Sequence, residues 1–265
     1  MNHLLRELAP ITEAGWEAIE AEAKPRLTTY LAARKLVDFN GPKGWEYSAT
    51  DLGRVERIEG PGPEVTAAQR RLMPLVELRT RFAVSRAELE AADRGAQDVE
   101  FPDLDAAAQR IAVAENAAVF YGYAAAGITG IIPRSSHPPM ALGKAARDYP
   151  ARVAEAVNRL LGVGIGGPFG LAVSPDGYIR ILETSESGDL LLDHIRKILG
   201  GPVVRTSGLE GGVVVSLRGG DFVLDSGEDL SIGYGDHSET EVRLFLEETF
   251  TFRVIEPDAA VVLTA

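Results

Sequence analysis

The C-terminal part of the chain contains the stretch that decides the fold. It reads Arg218-Gly-Gly-Asp-Phe222, then Asp229-Leu-Ser-Ile-Gly-Tyr234, then Glu248-Thr-Phe-Thr-Phe252. Every second residue is apolar over 242–246 and again over 250–254, which is the period of half-buried β-strands. Turn-forming residues lie between these runs. The sequence therefore predicts a β-rich unit that completes a sheet begun earlier in the chain.

The composition limits the classes of function. The chain has 265 residues, 45% hydrophobic and 25% charged, as in a globular protein of one large or two modest domains. A net charge of -12 argues against general nucleic-acid binding, because phosphate contacts need a basic surface. The absence of cysteine excludes disulfides and favours an intracellular protein. No signal-peptide core and no apolar run of ~20 residues is present, so we expect a cytoplasmic protein without a membrane partner.

Helical periodicity predicts two main helices in the first half of the chain. Thr12 is placed to cap the first, and Pro25 is expected to kink it or restart it. The second is the longest, predicted over 104–126 and stopped by Gly127 and Gly130. The apolar stripe of the first helix comprises Trp16, Ile19, Ala23, Leu27 and Leu31.

Residues 46–75 have few core-forming side chains, and a clean alternating strand follows them over 76–84. Long excursions of this kind are uncommon inside a compact domain and usually reach outward. We therefore predict a protruding β arm that contacts another subunit. Ser85 and Glu88 have the spacing of a capping box at the start of a short helix. Alternating helices and strands over 133–217 predict a second α/β unit inserted into the first.

No motif supports catalysis. Residues 162–167 match the dinucleotide-binding fingerprint, but a helix precedes them and a strand follows, which is the reverse of the required order. His237 with Asp236 and Glu239 is better explained as a solvated turn than as a metal or acid–base trio. There is no nucleophile elbow and no phosphate loop. We therefore expect no catalytic residue, no bound metal and no cofactor.

Several short motifs occur in an order and spacing that together are specific. They include Leu8-Ala-Pro-Ile-Thr-Glu13, Arg34-Lys-Leu-Val-Asp38, Pro74-Leu-Val-Glu-Leu-Arg79 and Gly167-Pro-Phe169, with the three C-terminal stretches quoted above. In these motifs the chain resembles the encapsulin shell proteins, also called linocin-type bacteriocins, over nearly its whole length.

The resemblance implies an α+β fold like that of the tailed-phage major capsid protein, the Hong Kong 97-like fold, with a peripheral domain, an axial domain and an extended loop. It also implies self-assembly into a closed icosahedral compartment, with about 60 copies in the smallest members. The implied division is the N-terminal helix and start of the peripheral domain at 1–45, the extended loop at 46–75, the peripheral domain with its spine helix at 76–132, the axial domain at 133–217, and closing strands of the peripheral domain at 218–265.

The resemblance further implies a partner, a cargo enzyme that docks on the inner wall through a short C-terminal peptide. An apolar groove flanked by one cation and one anion would anchor such a peptide and fix its register. The alternative is that these side chains are simply core. Cargos of the family include dye-decolourising peroxidases and ferritin-like iron oxidases, which implies a role in iron storage or oxidative-stress defence. The implied docking positions are Leu27, Leu31, Arg34, Leu36, Asp38, Ile232 and Tyr234.

Two further expectations follow from the resemblance. The loop that would line the fivefold pore is Glu186, Ser187, Gly188 and Asp189, and a ring of its carboxylates would favour cations such as ferrous iron. Ala87 stands where some relatives carry a flavin-binding tryptophan, so we expect no flavin there.

Two other classes remain as alternatives. A prophage major capsid protein would share the fold, but it would usually carry a scaffolding or cleaved N-terminal segment, whereas this chain starts directly at the docking helix. A protease or bacteriocin is disfavoured because no nucleophile stands at a recognisable spacing from a base.

Overall fold

The computed structural model describes residues 3–143, 145–186 and 189–265. Two five-stranded β-sheets organise this part of the chain. The helices are α1 (Glu13–Tyr30), α2 (Arg86–Asp93), α3 (Pro102–Phe120), α4 (Ile131–Arg134), α5 (Tyr149–Gly162), α6 (Pro175–Glu183) and α7 (Leu191–Leu199). The strands are β1 (Asp38–Asn40), β2 (Ala49–Ile58), β3 (Ala67–Pro74), β4 (Val76–Ser85), β5 (Gly122–Tyr123), β6 (Ile128–Thr129), β7 (Met140–Ala141), β8 (Phe169–Val173), β9 (Ser185–Glu186), β10 (Asp189–Leu190), β11 (Val203–Arg205), β12 (Gly212–Ser216), β13 (Phe222–Ser226), β14 (Ser231–His237), β15 (Glu241–Val254) and β16 (Ala260–Thr264).

The first sheet is built around β15, a single strand of 14 residues. It joins the two alternating runs that the sequence pattern separates. One side of β15 pairs with β4, and the other pairs with β14 near its start and β13 near its end. β1 completes the sheet beside β13. One face of the sheet packs against α1 and α3 through buried apolar residues, among them Ile19, Phe82, Leu104, Leu244 and Leu246.

Helix α1 begins as predicted, because the Thr12 side chain accepts a hydrogen bond from the Gly15 backbone N–H at 3.1 Å. The expected restart at Pro25 is wrong, since the helix continues through this residue to Tyr30. The chain then leaves the α1 axis, and Arg34 lies in a separate 3₁₀ turn rather than in the last turn of α1.

Two other helix predictions need correction. Helix α3 ends at Phe120 and not at 126, because Gly122 takes a φ of 92° and starts the β5–β6 hairpin. Ser85 stands at the N-cap of α2 but makes no side-chain cap hydrogen bond. Glu88 accepts instead from the Glu100 backbone N–H at 3.0 Å, so the capping box does not form.

The second sheet has the strand order β11-β8-β12-β16-β7 and packs against α5 and α7. Strands β8 and β12 are buried along their whole length. The last strand of the chain, β16, lies between β12 and β7. The segment 218–265 is therefore shared, with its strands up to residue 254 in the first sheet and residues 260–264 in the second.

Strands β2 and β3 form a separate two-stranded ribbon that we call the arm. Within the described residues they pair with each other and with no third strand. Val55 and Ile58 on β2, and Leu72 on β3, are at least half exposed. The arm thus presents apolar side chains and two unpaired strand edges to its surroundings, which is the geometry of a surface that another chain covers.

Candidate functional site

A groove of about 410 Å³ runs between helix α1 and the start of strand β14. We call it the helix–strand groove. Apolar side chains form its base and charged groups stand along its rim, since α1 turns one face to the sheet and the other to solvent. It is lined by Leu4, Arg6, Glu20, Ala23, Lys24, Leu27, Thr28, Leu31, Arg34, Asp229, Leu230, Ser231, Ile232 and Leu246.

Four of the seven residues expected to dock a peptide lie together on this groove. They are Leu27 and Leu31 from the end of α1, Arg34 from the following turn, and Ile232 from β14. Leu27 is half-buried, whereas Leu31 and Ile232 are buried and form the wall. The groove exists because α1 and β14 pack against the same buried cluster of the first sheet.

The other three residues lie elsewhere. Leu36 is 2% exposed and belongs to the core of the second sheet. Asp38 accepts a hydrogen bond from the Gly220 backbone N–H at 2.6 Å, on the far side of β1. The Tyr234 hydroxyl is 2.6 Å from His237 Nδ1 and its side chain does not line the groove.

Arg34 holds the inner end of the groove together. Its guanidinium donates to Glu115 at 2.7 Å, to Asp229 at 2.6 Å and to Glu248 at 3.0 Å. These carboxylates belong to α3, to the loop before β14 and to β15, so one side chain joins three elements. It also lies 4.7 Å from the centre of the Phe39 ring.

The Arg34 cluster has unusual electrostatics. Burial lowers the pKa of Arg34, but the charges of Glu115, Glu248 and Asp229 outweigh burial and raise it. Burial, followed by the nearby Glu115 carboxylate, raises the pKa of Glu248 well above its ordinary value. One oxygen of Glu115 and one of Glu248 have no hydrogen-bond partner among the described residues. Burying these two carboxylates therefore costs free energy, and their pairing with Arg34 offsets that cost.

Comparison with known proteins identifies the family. A family described as "Encapsulating protein for peroxidase" matches residues 1–251. A type 1 encapsulin shell protein of Rhodospirillum rubrum is 43% identical over 270 residues, which covers 99% of this chain and 96% of that one. The chain belongs to the encapsulin shell protein family. A second member, the type 1 encapsulin shell protein of Mycobacterium tuberculosis, is 37% identical over 264 residues. The alignment covers 100% of this chain and 100% of that one.

Solved structures show the fold of this encapsulin. A virus-like particle from Pyrococcus furiosus matches with a TM-score of 0.65 at 17% identity, over 94% of this chain and 98% of that one. A chain from Mycobacterium phage Cain matches with a TM-score of 0.55 at 13% identity, over 89% and 90%. The expected Hong Kong 97-like capsid fold is confirmed, and the protein is a self-assembling shell subunit. Because the chain is 37–43% identical to these encapsulin shell proteins, it groups with them and not with prophage capsid proteins.

The expected pore loop of this encapsulin is only partly described. Glu186 and Asp189 are paired across the β9–β10 hairpin. Ser187 and Gly188, together with the side chains of Glu186 and Asp189, lie outside the described residues. The Gly-rich run at 162–167 ends α5 and precedes β8, which is the order that the sequence predicts.

No group of three or more metal-ligating side chains occurs among the described residues. No helix in the described part of this encapsulin is both long and apolar enough to cross a membrane.

Sequence reasoning missed the two carboxylates that bond Arg34 from α3 and β15, and it missed Leu4 in the groove. Glu115 and Glu248 are 0% and 1% exposed, although charged residues in a helix or strand usually face solvent. Their positions in the sequence could have indicated burial, because Glu115 falls in the alanine-rich part of α3 and Glu248 interrupts the apolar runs of β15. Leu4 was missed because it precedes α1 and has no periodic neighbours.

Proposed function

We propose that this shell protein encloses a cargo enzyme whose C-terminal peptide docks in the helix–strand groove. The observation that carries the proposal is the convergence of Leu27 and Ile232, far apart in sequence, on one apolar groove beside a charged rim. Burying a few apolar side chains in such a groove gives affinity, and the rim fixes orientation.

The proposed compartment is a closed icosahedral shell of about 60 copies in the cytoplasm. The subunit itself is not an enzyme, and the chemistry belongs to the cargo. A peroxidase is the cargo class that the family description supports, and oxidative-stress defence is the corresponding role. A ferritin-like oxidase, with a role in iron storage, is the second candidate class.

In this proposal, Leu27, Leu31 and Ile232 contact the peptide, and Arg34 positions the wall that they form. Arg34 cannot serve as a free rim cation for the peptide, because its guanidinium already bonds three carboxylates. Asp229 supplies an anion at the rim, since it remains 43% exposed while bonded to Arg34.

The docking test uses a fluorescent protein fused to the C-terminal tail of the peroxidase from the same cell, co-expressed with the shell. Leu27→Asp places a charge in the apolar groove, and we expect loading per purified shell to fall at least about tenfold. Leu161→Asp is the matched control, since Leu161 is about equally apolar, exposed and outside the groove. Equal loading in wild-type and Leu27→Asp shells would remove the docking proposal.

We also propose that Glu186 and Asp189 form an acidic ring at the fivefold pore. Carboxylates repeated around a symmetry axis attract cations and raise their local concentration. Glu186→Gln combined with Asp189→Asn is expected to slow the entry of ferrous iron into loaded shells. The rate is followed by stopped-flow absorbance, and an unchanged rate would exclude the ring as an entry route.

A further inference from the structure

Residues 3–8 cross the free edge of strand β14, and we call them the N-terminal strap. The Tyr234 backbone N–H donates to the Leu4 carbonyl oxygen at 2.8 Å, so the strap forms one rung of strand-like pairing. The Leu4 side chain is buried and lines the helix–strand groove. After Leu4 the strap makes a 3₁₀ turn at Arg6–Leu8 and enters α1.

Side chains on both sides of Leu4 help to hold the strap. The His3 ring stacks on Trp45 with a centroid distance of 3.7 Å and an angle of 8°. The His3 Nε2 atom is 3.4 Å from the buried Glu247 carboxylate. Arg6 donates to Glu20 at 2.6 Å and lies over the Trp16 ring. A short terminal segment held by such side-chain contacts can open locally while the rest of the subunit stays folded.

The backbone of the strap is also under strain. Leu5 has a φ of 51°, in the left-handed region that side chains other than glycine rarely adopt. A residue persists there only when its surroundings hold it. The contacts of His3 on one side of Leu5 and of Arg6 on the other provide that restraint.

The edge of β14 has two outward positions in this region, because backbone groups two residues apart point the same way. At Tyr234 the backbone N–H already donates to the Leu4 carbonyl oxygen. Ile232 faces the groove, and among the described residues its backbone has no hydrogen-bond partner outside the ladder with β15. An extended peptide can therefore pair at Ile232, but it can continue along the edge to Tyr234 only if Leu4 leaves.

We propose that the strap competes with the docking peptide for the edge of β14. The partner is an extended cargo peptide that adds as a strand and places alternate apolar side chains in the groove. This inference rests on the proposed docking function. The strap then sets the apparent affinity, because only subunits with an open edge take the peptide over its full length.

Substitutions that loosen the strap at residues outside the groove test the competition. His3→Ala and Trp45→Ala each remove one partner of the stack, and neither residue lines the groove. We expect each to raise loading of the peroxidase-tail fusion, at limiting fusion, by about threefold to tenfold, the range that an aromatic stack supports. The double variant should add little further, since both act on the same contact. Tyr123→Ala is the control, since Tyr123 is an exposed aromatic residue outside the strap.

Hydrogen exchange gives a second readout on empty shells. His3→Ala should accelerate exchange in the segment that contains the Tyr234 amide, and loading of the fusion should protect the Ile232 amide. If the fusion loads equally into wild-type and loosened shells, the competition is wrong and docking stands. If the fusion loads into none of the shells, the docking function fails and the competition fails with it.

Discussion

Arg34 is the residue on which the candidate site depends most. Among the described residues it is the one cation bonded to Glu115, Glu248 and Asp229, and the first two of these carboxylates are buried. Burying charges costs several kcal/mol per ion unless they are paired, about the size of the whole stability margin of many domains. The role of Arg34 is therefore to fix the loop before β14 against α3 and β15, which shapes one wall of the helix–strand groove.

Arg34→Leu is expected to destabilise the subunit by about 3–5 kcal/mol, because it leaves two buried carboxylates without a cation. Chemical denaturation of the subunit, followed by tryptophan fluorescence, measures the change. Arg152→Leu provides the control, since its pair with Glu155 at 3.2 Å is exposed and contributes less than about 1 kcal/mol. Similar losses in both variants would mean that the Arg34 cluster is no more than a surface ion pair.

Glu248→Gln is expected to flatten the pH dependence of stability. Burial and the Glu115 carboxylate raise the pKa of Glu248 above 4.5, so the folded chain keeps a proton that the unfolded chain loses. Stability from this group is present at low pH and falls as pH rises from about 4.5 through the raised pKa. Melting temperatures of both proteins between about pH 5 and pH 8 give the comparison. A constant difference between them over this range would contradict the assignment.

At the scale of elements, the sequence pattern predicts what depends on periodicity and misses what depends on long-range contacts. Strand β4, helix α5 and strand β8 are found where alternation and caps place them. Helix α3 is too long in the prediction, because alanine continues to favour helix after Gly122 has already turned the chain. The continuity of β15 was also missed, since its strand partner β4 stabilises the polar residues between the two apolar runs.

The same distinction applies to the candidate site. Leu27 and Ile232 were predicted because family resemblance points to α1 and the closing strands, and both face the groove. Leu36 and Asp38 do not line the groove, because the chain turns away from the α1 axis after Tyr30. No local pattern could bring Glu115 and Glu248 beside Arg34, since these residues meet only when α3 and β15 pack.

The packing of β14 against β15 leaves no room for a larger residue at position 233. A Cβ atom added to Gly233 would lie 2.1 Å from the Phe245 ring, which is buried. Gly233→Ala should therefore lower stability by about 1–3 kcal/mol and disturb the groove wall. Gly166→Ala is the matched control, with nothing within 4 Å of the added atom. Equal melting temperatures for the two variants would show that Phe245 moves without cost.

At the scale of the whole molecule, the two sheets and the arm have different tasks. The sheets carry the buried apolar clusters, whereas the arm leaves exposed apolar side chains on a ribbon with two free edges. A self-assembling subunit needs such a surface, because neighbouring copies must bury area beyond the fold of one chain. We therefore assign the arm to contacts between subunits.

Val55→Asp tests this assignment. The Val55 side chain is 64% exposed, so the change should leave the subunit folded but prevent or shrink the shell, because a charge would be buried between copies. Circular dichroism reports the fold, and light scattering with electron microscopy reports assembly. Thr66→Asp is the control, because it adds the same charge beside the arm without removing an apolar side chain. Intact shells from Val55→Asp would place the arm outside the contacts that drive assembly.

The position of β16 has a consequence for synthesis on the ribosome. The second sheet lacks the strand between β12 and β7 until residues 260–264 have been translated and have left the exit tunnel. A nascent chain can form helices and local hairpins earlier, but β7 then lacks its partner β16 and β12 pairs with β8 alone. This sheet is therefore completed only after residues 260–264 have been translated, when its other four strands have already been made.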